Sequence, residues 1–323
     1  MKVRASLLVA VIAASTACKR SHDEPASSAP VVPITPVGKD ASAPAPSATD
    51  PWAKSSDAKQ DPLKRPLFWS IEKDGKTSYL LGTMHMGVDP NTRIPKVVWE
   101  KFDQAKTFAM ETDLAGGGSL DITLKGKETL RDLLGEAYWK KFEEAVGKDE
   151  AQRYLHYKPM IPATVLQMRS LPQTAPMDGV LLGRAMNQKK NIVYLEKLEH
   201  QAAMLEKWMT PRALRDMLDD LAEGEQHSKE MFAAYVAGDE QKLIGLAEQE
   251  RADFKKHGRS EKEYDAQMDD LLYNRNASWI APIEKLHAEG GGFIAVGAMH
   301  LIGKRSVLDL LQHRGFKVTR ITP

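Results

Sequence analysis

Two short segments, Leu81-Gly82-Thr83-Met84-His85 and Val296-Gly297-Ala298-Met299-His300, are spelled almost alike and stand more than two hundred residues apart. Each ends an apolar run of strand character, and each is followed by a stretch with helical spacing and then by another strand. In the first unit Val97, Val98, Phe102 and Ala105 mark the helix and residues 107–112 the next strand. In the second, residues 305–314 form the helix and residues 315–321 the closing strand. Strand, helix and strand in that order predict a parallel pair with a right-handed crossover in each unit. Residues 67–72 and 77–82 flank an Asp74-Gly75 turn signal, which adds an antiparallel hairpin. The chain is therefore read as α/β (α+β), with a mixed sheet, two related strand-GxxH-helix-strand units and a largely helical middle section.

That middle carries helical patterns at residues 129–139, 161–169, 211–248 and 264–287, with a short buried-type strand at residues 191–196 and a helix beginning at Met177. Gly290-Gly291-Gly292 suits a helix stop before the strand at residues 293–296. The N-terminal part is different. Lys2 and Arg4, an apolar stretch from Leu7 to Ala14 too short to span a bilayer, and the small residues Ser15, Thr16 and Ala17 read as an export signal over residues 1–17. Cys18 follows directly, as in a bacterial lipobox, although Ser15 stands where such a box usually has Leu. The alternative is an ordinary secretory leader with an incidental thiol. Cys18 is the only cysteine, so an intrachain disulfide is excluded. Residues 18–65 then read as a lipidated cysteine and a disordered Ser/Ala/Pro tether, too poor in apolar side chains to offset its ordering entropy. The folded domain is placed at residues 66–323.

Charge narrows the function. Lys and Arg number 45 against 44 Asp and Glu, for a net charge of +1, so no global field recruits nucleic acid. There is no phosphate-cradling Gly-x-x-x-x-Gly-Lys, no Gly-x-Gly-x-x-Gly after a strand, no Gly-x-Ser-x-Gly elbow and no His-Glu-x-x-His helix.

What remains is the carboxyl edge of the sheet, where open α/β folds collect ligands. His85 and His300 fall there, just past the motif glycines Gly82 and Gly297. One such histidine is more often a packed, satisfied side chain than a ligand; two in matched settings point to one converging site. Glu111 ends the apolar run Phe108-Ala109-Met110 at the same edge, and Glu196 ends Val193-Tyr194-Leu195 in the same way. Two imidazoles and a carboxylate match the donors of hydrolytic divalent-metal sites that keep a position open for water. The plainer alternatives are a turn-capping role for Glu111 and a helix N-terminal charge for Glu196. His156, His200, His227, His257, His287 and His313 are expected on solvated faces.

A wider set of residues resembles the TraB/GumN (TIKI-like) family. It comprises Phe68-Trp69, the run from Tyr79 to Gly87, Glu111, Pro176-Met177-Asp178, Leu195-Glu196 with Gln201, Arg275-Asn276-Ala277-Ser278-Trp279, and Val296 to Leu301 continuing to Gly315-Phe316. The resemblance spans about residues 66–323. For some animal members it implies a membrane-tethered, divalent-metal-dependent protease. It carries His85, His300 and Glu111 over as metal or catalytic residues, with Arg275 and Asn276 as supporting site residues; Glu196 stays the second carboxylate and ligand candidate that its place at a strand end makes it. Met177-Asp178-Gly179 departs from the more usual Gly-x-Asp arrangement, which leaves a role for Asp178 open.

The sequence-based expectation is a hydrolase, specifically a peptidase, dependent on a divalent cation (Mn, Co or Zn) held by His85 and His300. Glu111 completes the ligands or acts as general base, and Arg275 stabilises the oxyanion. The chain would sit in the cell envelope, lipid-anchored to a bacterial membrane, the outer one by preference, and would act on a peptide or protein without binding nucleic acid. Two rival readings are a protein that sequesters a peptide in the same cleft without cutting it, and a haem or metal carrier using the paired imidazoles.

Overall fold

The structure, a computed structural model, describes residues 61–113 and 121–323. The segment read as an export signal, Cys18, and the expected tether as far as residue 60 lie outside the described residues. Among the described ones, packing begins at Leu63, which is buried and donates its amide to the Arg93 carbonyl at 2.8 Å.

Six strands form one mixed sheet: β1 (Phe68–Lys73), β2 (Lys76–Thr83), β3 (Thr107–Met110), β4 (Asn191–Tyr194), β5 (Phe293–Gly297) and β6 (Lys317–Arg320). The hairpin β1–β2 forms as its turn chemistry dictates, with Asp74 at φ 50° and Gly75 at φ 70°, both in the left-handed region a tight two-residue turn requires. Across the sheet the order is β4-β3-β5-β2-β1-β6. β2, β5, β3 and β4 run parallel, whereas β1 is antiparallel to both β2 and β6.

This order revises the expected pairing within each unit. β2 and β3 run the same way but are not neighbours, because β5 inserts between them. Likewise β2 and β1 separate β5 from β6. The two units interlock, placing β2 beside β5 with Gly82 opposite Val296 and Thr83 opposite Gly297. The reason lies in composition: β5 reads Phe-Ile-Ala-Val-Gly and all of its first four residues are buried, as suits a strand enclosed on both faces. Phe68, Phe102, Phe108 and Phe293 close ring against ring over this sheet, with centroids 5.1–6.5 Å apart.

The helical middle builds a second core from Leu130, Trp139, Phe142, Leu166, Leu214 and their neighbours. Its predicted long segments are broken. Gly135 separates Leu130–Leu134 from Glu136–Val146, and residues 211–248 fall into Pro211–Asp219, Leu221–Ala237 and the start of Glu240–Lys256. The last long segment is also interrupted: Glu261–Met268 leads into a π-helical turn, Asp269–Tyr273, before Asn274–Ala288 resumes as α-helix. Such turns insert one residue into the helical register and re-aim the side chains beyond them. No helix among the described residues is long and apolar enough to cross a membrane.

Two histidines expected on solvated faces are buried instead. His287 bridges the hairpin, with Nδ1 2.9 Å from Ser78 Oγ and Nε2 3.1 Å from the Lys73 carbonyl. His227 is enclosed on the Leu221–Ala237 helix near Glu250. Polar neighbours in sequence hid both, because a helix turns such neighbours onto its outer face.

Candidate active site

The carboxyl ends of four adjacent parallel strands deliver the sequence-marked residues side by side. In spatial order they are Glu196 after β4, Glu111 after β3, His300 after β5 and His85 after β2. The motif glycines make this convergence close. A Cβ on Gly82 would stand 3.0 Å from Ala298 Cα, so the first motif can touch the second only without a side chain there. A Cβ on Gly297 would stand 3.3 Å from Glu111 Oε1, and its amide donates to that same oxygen at 2.7 Å. Gly82→Ala is expected to destabilise the fold by about 1–3 kcal/mol, the usual range for overpacking against backbone, as read by urea denaturation. The Gly82 carbonyl also accepts the Tyr235 hydroxyl at 2.8 Å, which ties this motif to the Leu221–Ala237 helix.

At the centre is Arg275, 2 % exposed, delivered by the Asn274–Ala288 helix directly after the π turn. Its five N–H groups are all engaged. Nε donates to Glu196 at 3.0 Å, and Nη2 donates to Glu196 at 2.5 Å and to Glu111 Oε2 at 2.6 Å. Nη1 donates to the Leu271 carbonyl at 3.0 Å and to His300 Nε2 at 3.1 Å. Arg275 thus has no donor left over for an oxyanion; it holds two carboxylates and an imidazole in place. Gln201 Nε2 adds a hydrogen bond to Glu111 Oε2 at 3.0 Å.

The tautomer of His300 is set by its neighbours. Asn276 Nδ2 donates to the Arg305 carbonyl at 2.9 Å, so its Oδ1 faces His300 and accepts Nδ1–H at 2.6 Å. Nε2 then carries the lone pair that receives Arg275. Burial and the adjacent guanidinium keep this imidazole neutral, with its pKa pushed down to about 3. Burial would raise the Glu111 pKa, but Arg275 overrides it and holds the carboxyl at about 2. At Glu196 burial wins over Arg275 and the pKa is raised.

His300 and Glu111 have the same consequence for acid stability. The unfolded His300 binds a proton near pH 6.5 that the folded one refuses until about pH 3, and the unfolded Glu111 binds one near pH 4.5 that the folded one refuses until about pH 2. The stability these two groups contribute is therefore full above pH 6.5 and falls as pH drops, first through His300 and below 4.5 through Glu111 as well, while the raised His85 and Glu196 act in the opposite sense. Thermal melts are expected to show this decline, and His300→Gln should flatten its first part between pH 6.5 and 4.5.

His85 differs from His300. It is half-buried, and its Nδ1 lies 2.6 Å from Asp178 Oδ2, while Thr83 Oγ donates to Asp178 Oδ1 at 3.0 Å. Burial would lower the His85 pKa; the charge of Asp178 and its hydrogen bond outweigh this and raise it above 6.5. With Nδ1–H given to Asp178, Nε2 is left without a protein partner among the described residues. The role that the sequence left open for Asp178 is thus to hold His85. Its position in the first turn of the Met177–Asn187 helix, after Pro176, is the local signal that aims it at the sheet edge.

A divalent ion on His85, His300 and Glu111 does not fit these residues as arranged. Both ring nitrogens of His300 and both oxygens of Glu111 are engaged, and the Arg275 guanidinium already supplies the cation between them. Among the described residues no three His, Cys, Asp or Glu side chains converge closely enough to cage an ion. The one imidazole nitrogen of the site without a protein partner among the described residues, Nε2, belongs to His85, which with His300 lines a cavity of about 160 Å³.

This arrangement of edge residues comes with a family. The TraB/PrgY/gumN family model matches residues 67–320, and the chain belongs to that family. Its relatives include the uncharacterized protein YbaP of Shigella flexneri, 24% identical over 244 residues that cover 73% of this chain and 88% of that protein. The YbaP of Escherichia coli K12 is likewise 24% identical, over 243 residues covering 72% and 87%. No solved structure matches the chain.

Proposed function

We propose that this chain is a peptide-bond hydrolase of the bacterial cell envelope, tethered to the outer membrane by acyl chains on Cys18, in which the His85–Asp178 pair activates water. The observation that carries the reading is the 2.6 Å bond from His85 to Asp178, with Nε2 left open at the cavity. Asp178 fixes the tautomer and steadies the imidazolium. His85 Nε2 takes a proton from water as its oxygen attacks the amide carbonyl, then returns that proton to the leaving amine as the C–N bond breaks. Glu111, Glu196, Arg275, Asn276 and His300 form the rigid floor against which this happens. The peptide as substrate follows the animal members that the sequence resembles, and the tether follows the lipobox-like start.

Because the ligand set is taken up by Arg275, the mechanism proposed is independent of metal. The test uses the purified chain from residue 61 onward, its metal content and a mixed peptide library read by mass spectrometry, with and without chelator. Cleavage unchanged by chelator, with no stoichiometric metal, is the expected result. Cleavage lost with chelator and restored by Mn²⁺, Co²⁺ or Zn²⁺ would overturn this mechanism in favour of the metal-dependent peptidase. Peptides retained but never cut would favour a sequestering protein.

A further inference from the structure

Water activation uses only one side of the cavity beside His85. Thr83, Gly297 and the two histidines supply that side, while Met84, Met231, Met268, Met299, Leu271 and Leu272 line much of the rest. The methionines come from four different places. Met84 and Met299 are the residues just before each motif histidine, Met231 lies on the Leu221–Ala237 helix, and Met268 immediately precedes the π turn. The shared Met of the two Gly-x-Met-His segments thus acquires a purpose, one lining residue from each motif.

A space of about 160 Å³ has room for a group the size of benzene. Unbranched, polarizable methionine walls adapt to the shape of whatever apolar group enters. Apolar walls of this kind reward an aliphatic or aromatic side chain and leave a charged one without partners.

Resting on the hydrolase reading, we infer that this cavity is the specificity pocket for a large apolar side chain, Leu, Met or Phe, next to the scissile bond. A side chain seated there would bring its own peptide bond up to His85 Nε2, so selection and chemistry share one wall.

The test separates pocket from turnover. In protein labelled with ¹³C at the methionine methyls, N-acetyl-leucinamide and N-acetyl-phenylalaninamide are expected to shift the resonances of Met84, Met231, Met268 and Met299 saturably. N-acetyl-asparaginamide should leave them in place. Met231→Trp, at a half-buried position, fills the cavity and should abolish the shifts; Leu272→Phe is the second, more conservative filling, and thermal melts confirm that both fold. In the peptide library, cuts beside Leu, Met or Phe should exceed those beside Asp or Lys by at least about tenfold. Saturable shifts without cleavage would keep the pocket and sink the hydrolase. Cleavage with no apolar preference and no shifts would sink the pocket and keep the hydrolase. Shifts that persist in both folded filling variants would also overturn the pocket.

Discussion

Arg275→Met is expected to lower the stability of the domain by about 3–5 kcal/mol, the loss typical of removing one partner from a buried ion pair. Glu111 and Glu196 would be left facing each other in a dry site, and the Leu271 carbonyl and His300 Nε2 would lose their donor. Set against a total of roughly 5–15 kcal/mol, this loss threatens the fold itself. The size of the effect comes from leaving charge behind, more than from the bonds lost. The triple variant Arg275→Met, Glu111→Gln, Glu196→Gln, which removes the charges together, should therefore recover much of it. Arg275→Lys keeps the charge but has three donors on one atom in place of a planar fork of five, and should fall between. Urea denaturation of the four proteins decides the matter: a loss below about 1 kcal/mol in Arg275→Met would mean that the triad carries no such burden.

The second large effect is on turnover. His85→Ala is expected to lower kcat by about 10²–10⁴-fold, the span ascribed to a positioned general base, and to lower Tm as well, because the buried Asp178 carboxylate loses its imidazole partner. Asp178→Asn gives the sharper diagnosis. In the wild-type chain the carboxylate raises the His85 pKa, so the rate should climb with pH through a midpoint above 6.5 as the imidazole loses its proton. With Asn in its place only the charge of Glu111 still opposes burial and Arg275, and the rising limb should move to lower pH while the plateau drops. A rising limb that stays put in Asp178→Asn would remove His85 from the role of base.

Much of this edge was legible in the sequence, because strand ends are marked by local signals. Gly82, Gly297, His85 and His300 stand out by spelling, and Glu111 and Glu196 by the cost of an ionised group at the end of an apolar run. The hairpin was legible from Asp74-Gly75. The insertion of β5 between β2 and β3 was not, since pairing over two hundred residues depends on which buried faces fit and leaves no local trace. Nor was the partnership of His85 with Asp178, which depends on how the Met177–Asn187 helix docks. The π turn before Arg275 escaped for a related reason: Asp269 to Tyr273 carry no breaker, and tertiary packing alone decides where the extra residue is taken up.

Interlocking has a consequence in time. His85 meets Asp178 across 93 positions, Glu111 meets Arg275 across 164, and Gly297 reaches Glu111 across 186. A nascent chain that has not yet released β5 has no filled middle to its sheet and no second motif, so Glu111 stands without Gly297 and His300. Contacts this distant form slowly, after shorter-range helices are in place. The cluster of Glu111, Arg275 and His300 is thus completed late, with β5 and the second motif, and no earlier length of chain can hold it.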